Sequence, residues 1–249
     1  MVRLRVSLVV VAFALAAFSG AASAQGSNVL QVATDATFPP MEYTDNGART
    51  GFDIDMMNAL AKAMGKTVQW TDIDFKGLIP GLIAHRFDAA ISAIYITDDR
   101  AKVVDFSEPV YSYGGGLIVA ARDPRQYRSV ADLKGLTVGV QVGTRFFDEL
   151  QGTGAKEIKT YDNLMEMLGD LSVGRIAAAY GDAPIFAYQM TQARIRGARF
   201  VQPFQPPNLE DVCLVVRKDE SELLARLNAS VKRLRSTVIQ RILGHWGLR

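Results

Sequence analysis

"TDATFPPMEYTDNGARTGFDIDM", residues 34–56, carries the turning point of the fold. It leaves a strand-like run, "VLQVAT" (29–34), whose apolar and β-branched residues suit a buried sheet. It ends where Asp53 is placed to cap a helix, with Ile54, Met57, Ala61 and Met64 on one face and Gly65 as the stop. Between these points stand an acid, Asp35, an aromatic, Phe38, two prolines, a turn, and Gly51-Phe52-Asp53-Ile54-Asp55. A residue before proline is confined to extended backbone, so Phe38 is held stiffly in place. A plain strand-to-helix connection needs fewer constraints than this.

Strand and helix signals alternate outward from that stretch. "TVQWTDI" (67–73) is a second strand, "KGLIPGLIAHR" (76–86) a helix despite Pro80, and "FDAAISAI" (87–94) a third strand. This βαβ order predicts a parallel sheet with helices on its faces. The pattern then restarts. "GGGLIVAAR" (114–122) and "LTVGVQV" (136–142) are strands, and "NLMEMLGDLSVGR" (163–175) is a helix leading into the strand "IAAAYGD" (176–182). Phe75, Leu78, Leu82 and Arg86 before "FDAAIS" parallel Tyr161, Leu164, Leu168 and Arg175 before "IAAAYG". Two α/β lobes of similar plan follow. From Ser221 to Trp246, Leu223, Leu224, Leu227, Val231, Leu234, Val238 and Leu243 recur at helical spacing, one or two amphipathic helices.

The first residues read as a leader rather than as part of the fold. Arg3 and Arg5 precede an apolar run from Val6 to Phe18, and Ala22-Ser23-Ala24 offers small residues for a signal peptidase. The run is short for a bilayer span, which disfavours an anchor. Cleavage after Ala24 is expected, giving a periplasmic chain of 225 residues with 26 basic and 26 acidic side chains. That balance gives no electrostatic case for nucleic acid. Cys213 is the one cysteine, so neither an internal disulfide nor a cysteine metal site is available. His85 and His245 lie far apart, in helical patterns, as surface or packing residues.

Motifs for enzymatic chemistry are missing: no Gly-x-Ser-x-Gly, no His-Glu-x-x-His, no P-loop and no Gly-x-Gly-x-x-Gly. Two acid pairs, Asp53 with Asp55 and Asp98 with Asp99, fall at predicted helix starts, where carboxylates suit free N–H groups and the helix dipole. No catalytic residue, metal or cofactor is expected.

Five motifs nonetheless come in order: "TDATFPPMEY", "GFDID", "DFKGLIPGLIAHRFDAAIS", "YITDDRAKVVDFSEPVY" and "DLKGLTVGVQVGT". Together they resemble the polar amino-acid-binding proteins of bacterial ABC importers, the family 3 extracellular solute-binding proteins. The resemblance implies a two-lobed type II periplasmic binding fold, each lobe a mostly parallel sheet flanked by helices. It implies residues 25–109 and 213–249 in lobe 1, 115–207 in lobe 2, and hinge segments at 110–114 and 208–212. A monomer that hands a free polar amino acid to an inner-membrane permease is the expected activity. An appended glycosidase domain is not expected, since the chain ends soon after the lobe-completing helices.

The chemistry of the residues suits that task. A free amino acid carries two charges, and burying either without a partner is costly. Arg100 offers a donor fork for the carboxylate, near a helix start that Thr97 can cap, and Thr144 can donate to the same group. Asp182 can take the ammonium. By resemblance, Phe38 and Phe75 wall the ligand's side chain, Asp35 faces its tip, and Ser92, Ala93 and Gln141 complete the pocket.

Two positions depart from the family pattern. Tyr95 stands where a small hydroxyl residue is frequent; it narrows the cleft or turns its hydroxyl toward the ligand. Arg145 stands where many relatives have Gly, Ser or Thr; pointing inward, it would disfavour a cationic side chain. Asp35 leans toward a basic or amide side chain and Arg145 the other way, so the ligand stays open. A prephenate or arogenate dehydratase on the same scaffold is the alternative, and Glu42 is the acid it would need.

Overall fold

The computed structural model describes residues 28–192 and 197–248; the leader and its cleavage site lie outside them. Strand β1 (Val29–Thr34) opens the chain, followed by a small antiparallel ribbon of β2 (Thr37–Phe38), β3 (Glu42–Asp45) and β4 (Ala48–Thr50). Helix α1 (Phe52–Ala63), β5 (Thr67–Asp72), α2 (Leu78–Ile83), β6 (Ala89–Ala90), α3 (Asp98–Val103) and β7 (Val104–Phe106) come next. The chain then enters a second sheet through β8 (Tyr111–Ala120). There β9 (Thr137–Gln141), α4 (Phe146–Leu150), β10 (Glu157–Tyr161), α5 (Leu164–Ser172), β11 (Ala178–Asp182), α6 (Ala183–Thr191) and β12 (Ala198–Phe200) follow. Strand β13 (Leu209–Val212) leads back to β14 (Val215–Arg217), α7 (Ser221–Leu234) and α8 (Gln240–His245).

The first sheet runs β5-β1-β6-β14-β7, with β1 parallel to both β5 and β6 and β14 antiparallel to its neighbours. The second runs β10-β9-β11-β8-β12, again with a parallel trio, β10-β9-β11. Strand β14 and the C-terminal helices therefore complete the first lobe. The two passages between lobes lie side by side, because β13 pairs antiparallel with the start of β8, Val212 opposite Tyr111 and Leu209 opposite Gly114. The protein is a two-lobed α/β fold.

Alternation along β1 explains its two packed faces. Leu30 and Val32 share one core cluster with Met56, Met57 and Leu60 of α1 and Leu227 and Val231 of α7. Ala33 faces the other way, toward Leu78 and Leu82 of α2. Strands buried on both faces read as apolar runs, as this one does. Cys213 is buried between strands.

Some local expectations are corrected. The strand expected over 87–94 pairs only at Ala89–Ala90, because Ala93 takes a left-handed φ of 47° and turns the backbone out of the sheet. The helix expected over 76–86 is a 3₁₀ turn at Phe75–Gly77 and then α2, with Pro80 in the first turn, where a missing N–H costs nothing. His85 lies past that helix in left-handed backbone and is exposed. Asp53 does not cap α1: the helix starts at Phe52 after Gly51, whose φ of 130° and close approach to Met41 exclude a side chain. The Asp55 carboxylate takes the Trp246 indole N–H at 2.9 Å, tying the C-terminal helices to α1. Thr97 caps α3 as expected, accepting from Arg100 N at 3.3 Å.

Candidate functional site

The carboxyl ends of β1, β6, β9 and β11 converge between the lobes, where open α/β sheets bind ligands. A small cavity, partly open to solvent, lies there. Phe38, Phe75, Ser92, Ala93, Tyr95 and Arg100 line it from one lobe, and Gln141, Thr144 and Asp182 from the other. Nine of the eleven residues expected at the site are thus brought together. Phe146 joins them without having been foreseen; its ring meets those of Tyr95 and Tyr180. An apolar residue two positions after Thr144 was its one signal in the sequence.

Arg100 is half-buried at the cavity edge. One terminal nitrogen donates to the Tyr95 carbonyl at 2.8 Å and the other to the Gly143 carbonyl of the opposite lobe at 2.9 Å. Its guanidinium also lies over the Phe75 ring, 5.4 Å from the centroid. Of five N–H donors two are used, leaving three for an anion. Burial, with Arg145 near by, lowers its pKa to about 10, so it stays cationic at neutral pH.

Asp182 ends β11 at the start of α6. Its Oδ1 accepts from the Tyr95 hydroxyl across the cleft at 2.8 Å. Burial pushes its pKa up to about 6, although the Tyr95 hydrogen bond pulls the other way. A carboxylate in that state gains from a cation placed against it. Tyr95 therefore spans the cleft with its hydroxyl on the acid.

Four expectations change in detail. Asp35 is outside the cavity lining. It accepts from Thr37 Oγ1 at 2.7 Å, Phe75 N at 3.1 Å and Gln141 Nε2 at 3.3 Å, so it braces the wall behind Phe75. Arg145 is also outside the lining: it pairs with Glu149 and Glu210 and stacks 5.2 Å over the Tyr95 ring. Two carboxylates neutralise it, which the sequence could not show because Glu210 is distant in the chain. The Thr144 hydroxyl donates to the Gln141 carbonyl at 2.8 Å rather than into the cavity. Glu42 is wholly buried beneath Ser92 and does not line the cavity, so it is not the pocket acid a dehydratase would need.

The lobes meet around the cavity through further contacts, Lys76 with Asp162 and Gln189 with the Pro39 carbonyl. Charged groups of both signs facing one small cavity between two lobes define a binding protein for a small zwitterionic solute. The chain belongs to the bacterial extracellular solute-binding proteins, family 3, whose profile matches residues 30–249. It is 32% identical to "ABC transporter arginine-binding protein 1" of Escherichia coli (strain K12), over 95% of this chain and 97% of that one. It is also 32% identical to the "Lysine/arginine/ornithine-binding periplasmic protein" of the same strain, covering 90% and 88%. Among solved structures, an ancestral arginine-binding protein bound to arginine superposes with a TM-score of 0.82 at 33% identity, covering 88% of this chain and 98% of that one.

Proposed function

We propose that this chain is a periplasmic receptor that closes on one free amino acid with a basic or amide side chain and presents it to an inner-membrane ABC permease. The observation that carries the reading is the placement of Arg100 and Asp182 on one cavity, from opposite lobes, with three of the Arg100 donors unspent. Arg100 takes the ligand carboxylate and Asp182 the ammonium. Phe38 and Phe75 sandwich the side chain. Arg145 no longer argues against a cationic side chain, because Glu149 and Glu210 already balance it. Relatives named for arginine and for lysine, arginine and ornithine agree with that choice.

Residues 25–109 and 213–249 act as one lobe and 115–207 as the other, bending at 110–114 and 208–212, where β8 and β13 run as a paired ribbon. Ligand contacts to both lobes favour the closed state. The mature chain starts at Gln25 and works as a monomer, without turning its ligand over. A thermal-shift panel of the common amino acids tests the reading. At a hundredfold excess over Kd, binding adds about 2.7 kcal/mol, and for a chain of this size that is roughly 5–11 °C in Tm. Arginine, lysine or glutamine is expected to give that shift and to be recovered unchanged by mass spectrometry. No shift across the panel, or turnover of prephenate or arogenate, would refute it.

A further inference from the structure

Beneath the cavity floor lie two acids that the binding reading does not use. Glu42 on β3 and Asp53 in the first turn of α1 are both fully buried. Each holds one floor residue: Glu42 Oε1 accepts from Ser92 Oγ at 2.5 Å, and Asp53 Oδ2 accepts from Ala93 N at 2.8 Å. Each also has one oxygen, Glu42 Oε2 and Asp53 Oδ1, with no hydrogen-bond donor among the described residues. Buried polar atoms left unpaired are expensive, and two of them on neighbouring acids call for a common explanation.

One proton answers for both atoms. Placed on Glu42 Oε2 and donated to Asp53 Oδ1, it satisfies the two oxygens at once and removes one of two buried like charges. The remaining negative charge belongs on Asp53, at the N-terminal end of a twelve-residue helix and in reach of the Ala93 N–H. Burial first, and then the charge of Asp53, raises Glu42 well above the usual carboxylate range. Burial raises Asp53 to about 7, against the pull of Ala93 N–H. The other titratable groups facing the pair are Asp35, whose charge raises Glu42 further, and Tyr113 of β8 on the Asp53 side.

The consequence reaches the ligand through Ser92. A serine hydroxyl has one proton and two lone pairs. Its proton goes to Glu42, and one lone pair takes Asp35 N at 3.2 Å. The lone pair that remains lets Ser92, which lines the cavity, act there only as an acceptor. We propose that Glu42 and Asp53 share a single proton, and that Glu42 is thereby the positioning residue that fixes Ser92 as an acceptor, so that the floor selects a ligand with N–H donors. This polarity argument rests on the amino-acid-receptor reading; the shared proton does not.

The proton is tested without ligand. Glu42 unfolded ionises near 4.5, so above that pH the native state holds a proton the unfolded chain has released. Stability then falls as pH rises, by up to about tenfold in the folding constant per pH unit. Asp182, near 6, contributes little above about 7, and Asp53, near 7, little above about 8, so the difference in urea-denaturation slope between wild type and Glu42→Gln from about pH 8 to 9 reads the pair. Wild type is expected to keep a slope near one proton and Glu42→Gln to lose it, since the amide donates to Asp53 and accepts from Ser92 without titrating. Equal slopes overturn the shared proton. Should Glu42→Gln not fold, infrared spectra of wild type at pH 8 decide: a buried protonated carboxyl is expected, and its absence overturns the proposal. Binding tests the polarity, with arginine as probe. Glu42→Met, which releases the Ser92 proton, is expected to weaken Kd roughly tenfold, the size of one hydrogen bond, and Glu42→Gln to restore it. If Glu42→Met binds arginine as wild type does, the positioning role is wrong. If wild type ignores arginine and all other amino acids, the receptor reading fails while the pH slope still reports on the proton.

Discussion

The Tyr95 hydroxyl reaches across the cleft to donate to Asp182 Oδ1 at 2.8 Å. The bond joins the two lobes at the acid proposed to take the ligand's ammonium. Tyr95→Phe removes a hydrogen bond to a charged group, worth about 1.5 kcal/mol or more. At 1.36 kcal/mol per pKa unit, the Asp182 carboxyl should rise by about one unit. The pH at which ligand affinity begins to fail is therefore expected to move upward by about that much, measured by calorimetry across pH 5–8. An unmoved midpoint would mean that the hydroxyl does not set the acid's charge.

Wild type itself should show that midpoint. Burial holds the unliganded Asp182 near 6, and an ammonium against it pulls the carboxyl back down. Below about 6, binding must expel a proton, so Kd rises by up to about tenfold per pH unit as pH falls. Above that pH this acid adds no dependence. Asp182→Asn should bind weakly with a flat profile. A wild-type Kd that is constant from pH 5 to 7.5 would exclude Asp182 as the ammonium's partner.

Much of this site was legible because strand ends announce themselves. "VLQVAT" ends just before Asp35 and forms as read, and "IAAAYGD" ends at Asp182, its strand starting at Ala178 rather than Ile176. Asp182 reaches the cavity lining from its strand end, whereas Asp35 stops one layer behind it, on Phe75 N and Gln141. What failed was the direction of side chains whose partners come from elsewhere in the chain. Arg145 looked free to point inward, but Glu210 is brought beside it by the β13–β8 pairing. Asp53 looked like a cap, but the floor residue Ala93, forty positions on, offers it an N–H. Glu42 looked available, but β3 turns it into the core under Ser92. Tertiary partners of this kind leave no periodic trace.

Asp55 separates stability from binding. Its carboxylate accepts the Trp246 indole N–H at 2.9 Å, and Trp246 packs edge-on to Tyr43. Asp55→Ala loses that bond and a favourable charge in the first turn of α1. A loss of about 1–2 kcal/mol is expected, seen as a Tm lowered by roughly 2–8 °C. The Kd of the folded protein should stay within twofold, since no contact with the cavity changes. A large loss of affinity would show that the C-terminal helices act on the cleft.

Gly51 is a backbone requirement. At φ 130° an added Cβ would stand 2.2 Å from the Met41 carbonyl oxygen. Backbone there must shift, and Met41 adjoins Glu42. Gly51→Ala is expected to cost about 2–3 kcal/mol, and thermal denaturation would register it as a Tm loss of roughly 4–12 °C. A variant as stable as wild type would mean that the turn before α1 has another conformation.

Arg100 gives the sharpest test of the carboxylate site. Its planar fork already joins the Tyr95 and Gly143 carbonyls, one on each lobe, and still has donors for a ligand. Truncating one partner of a buried, hydrogen-bonded charge pair costs about 2–5 kcal/mol, or roughly 30- to 4,000-fold in Kd at 1.4 kcal/mol per decade. Arg100→Ala should therefore weaken binding at least about thirtyfold. Arg100→Lys should not restore it, because an ammonium cannot hold two carbonyls on opposite lobes and a carboxylate in one plane. Both variants should fold, since the side chain sits at the cavity edge outside the packed core and its loss leaves only the Tyr95 and Gly143 carbonyls, which water can reach. Calorimetry with the amino acid found in the thermal-shift panel measures both. If Arg100→Lys binds as tightly as wild type, a point charge suffices and the fork is not what recognises the ligand. If Arg100→Ala does so, the carboxylate lies elsewhere in the cleft.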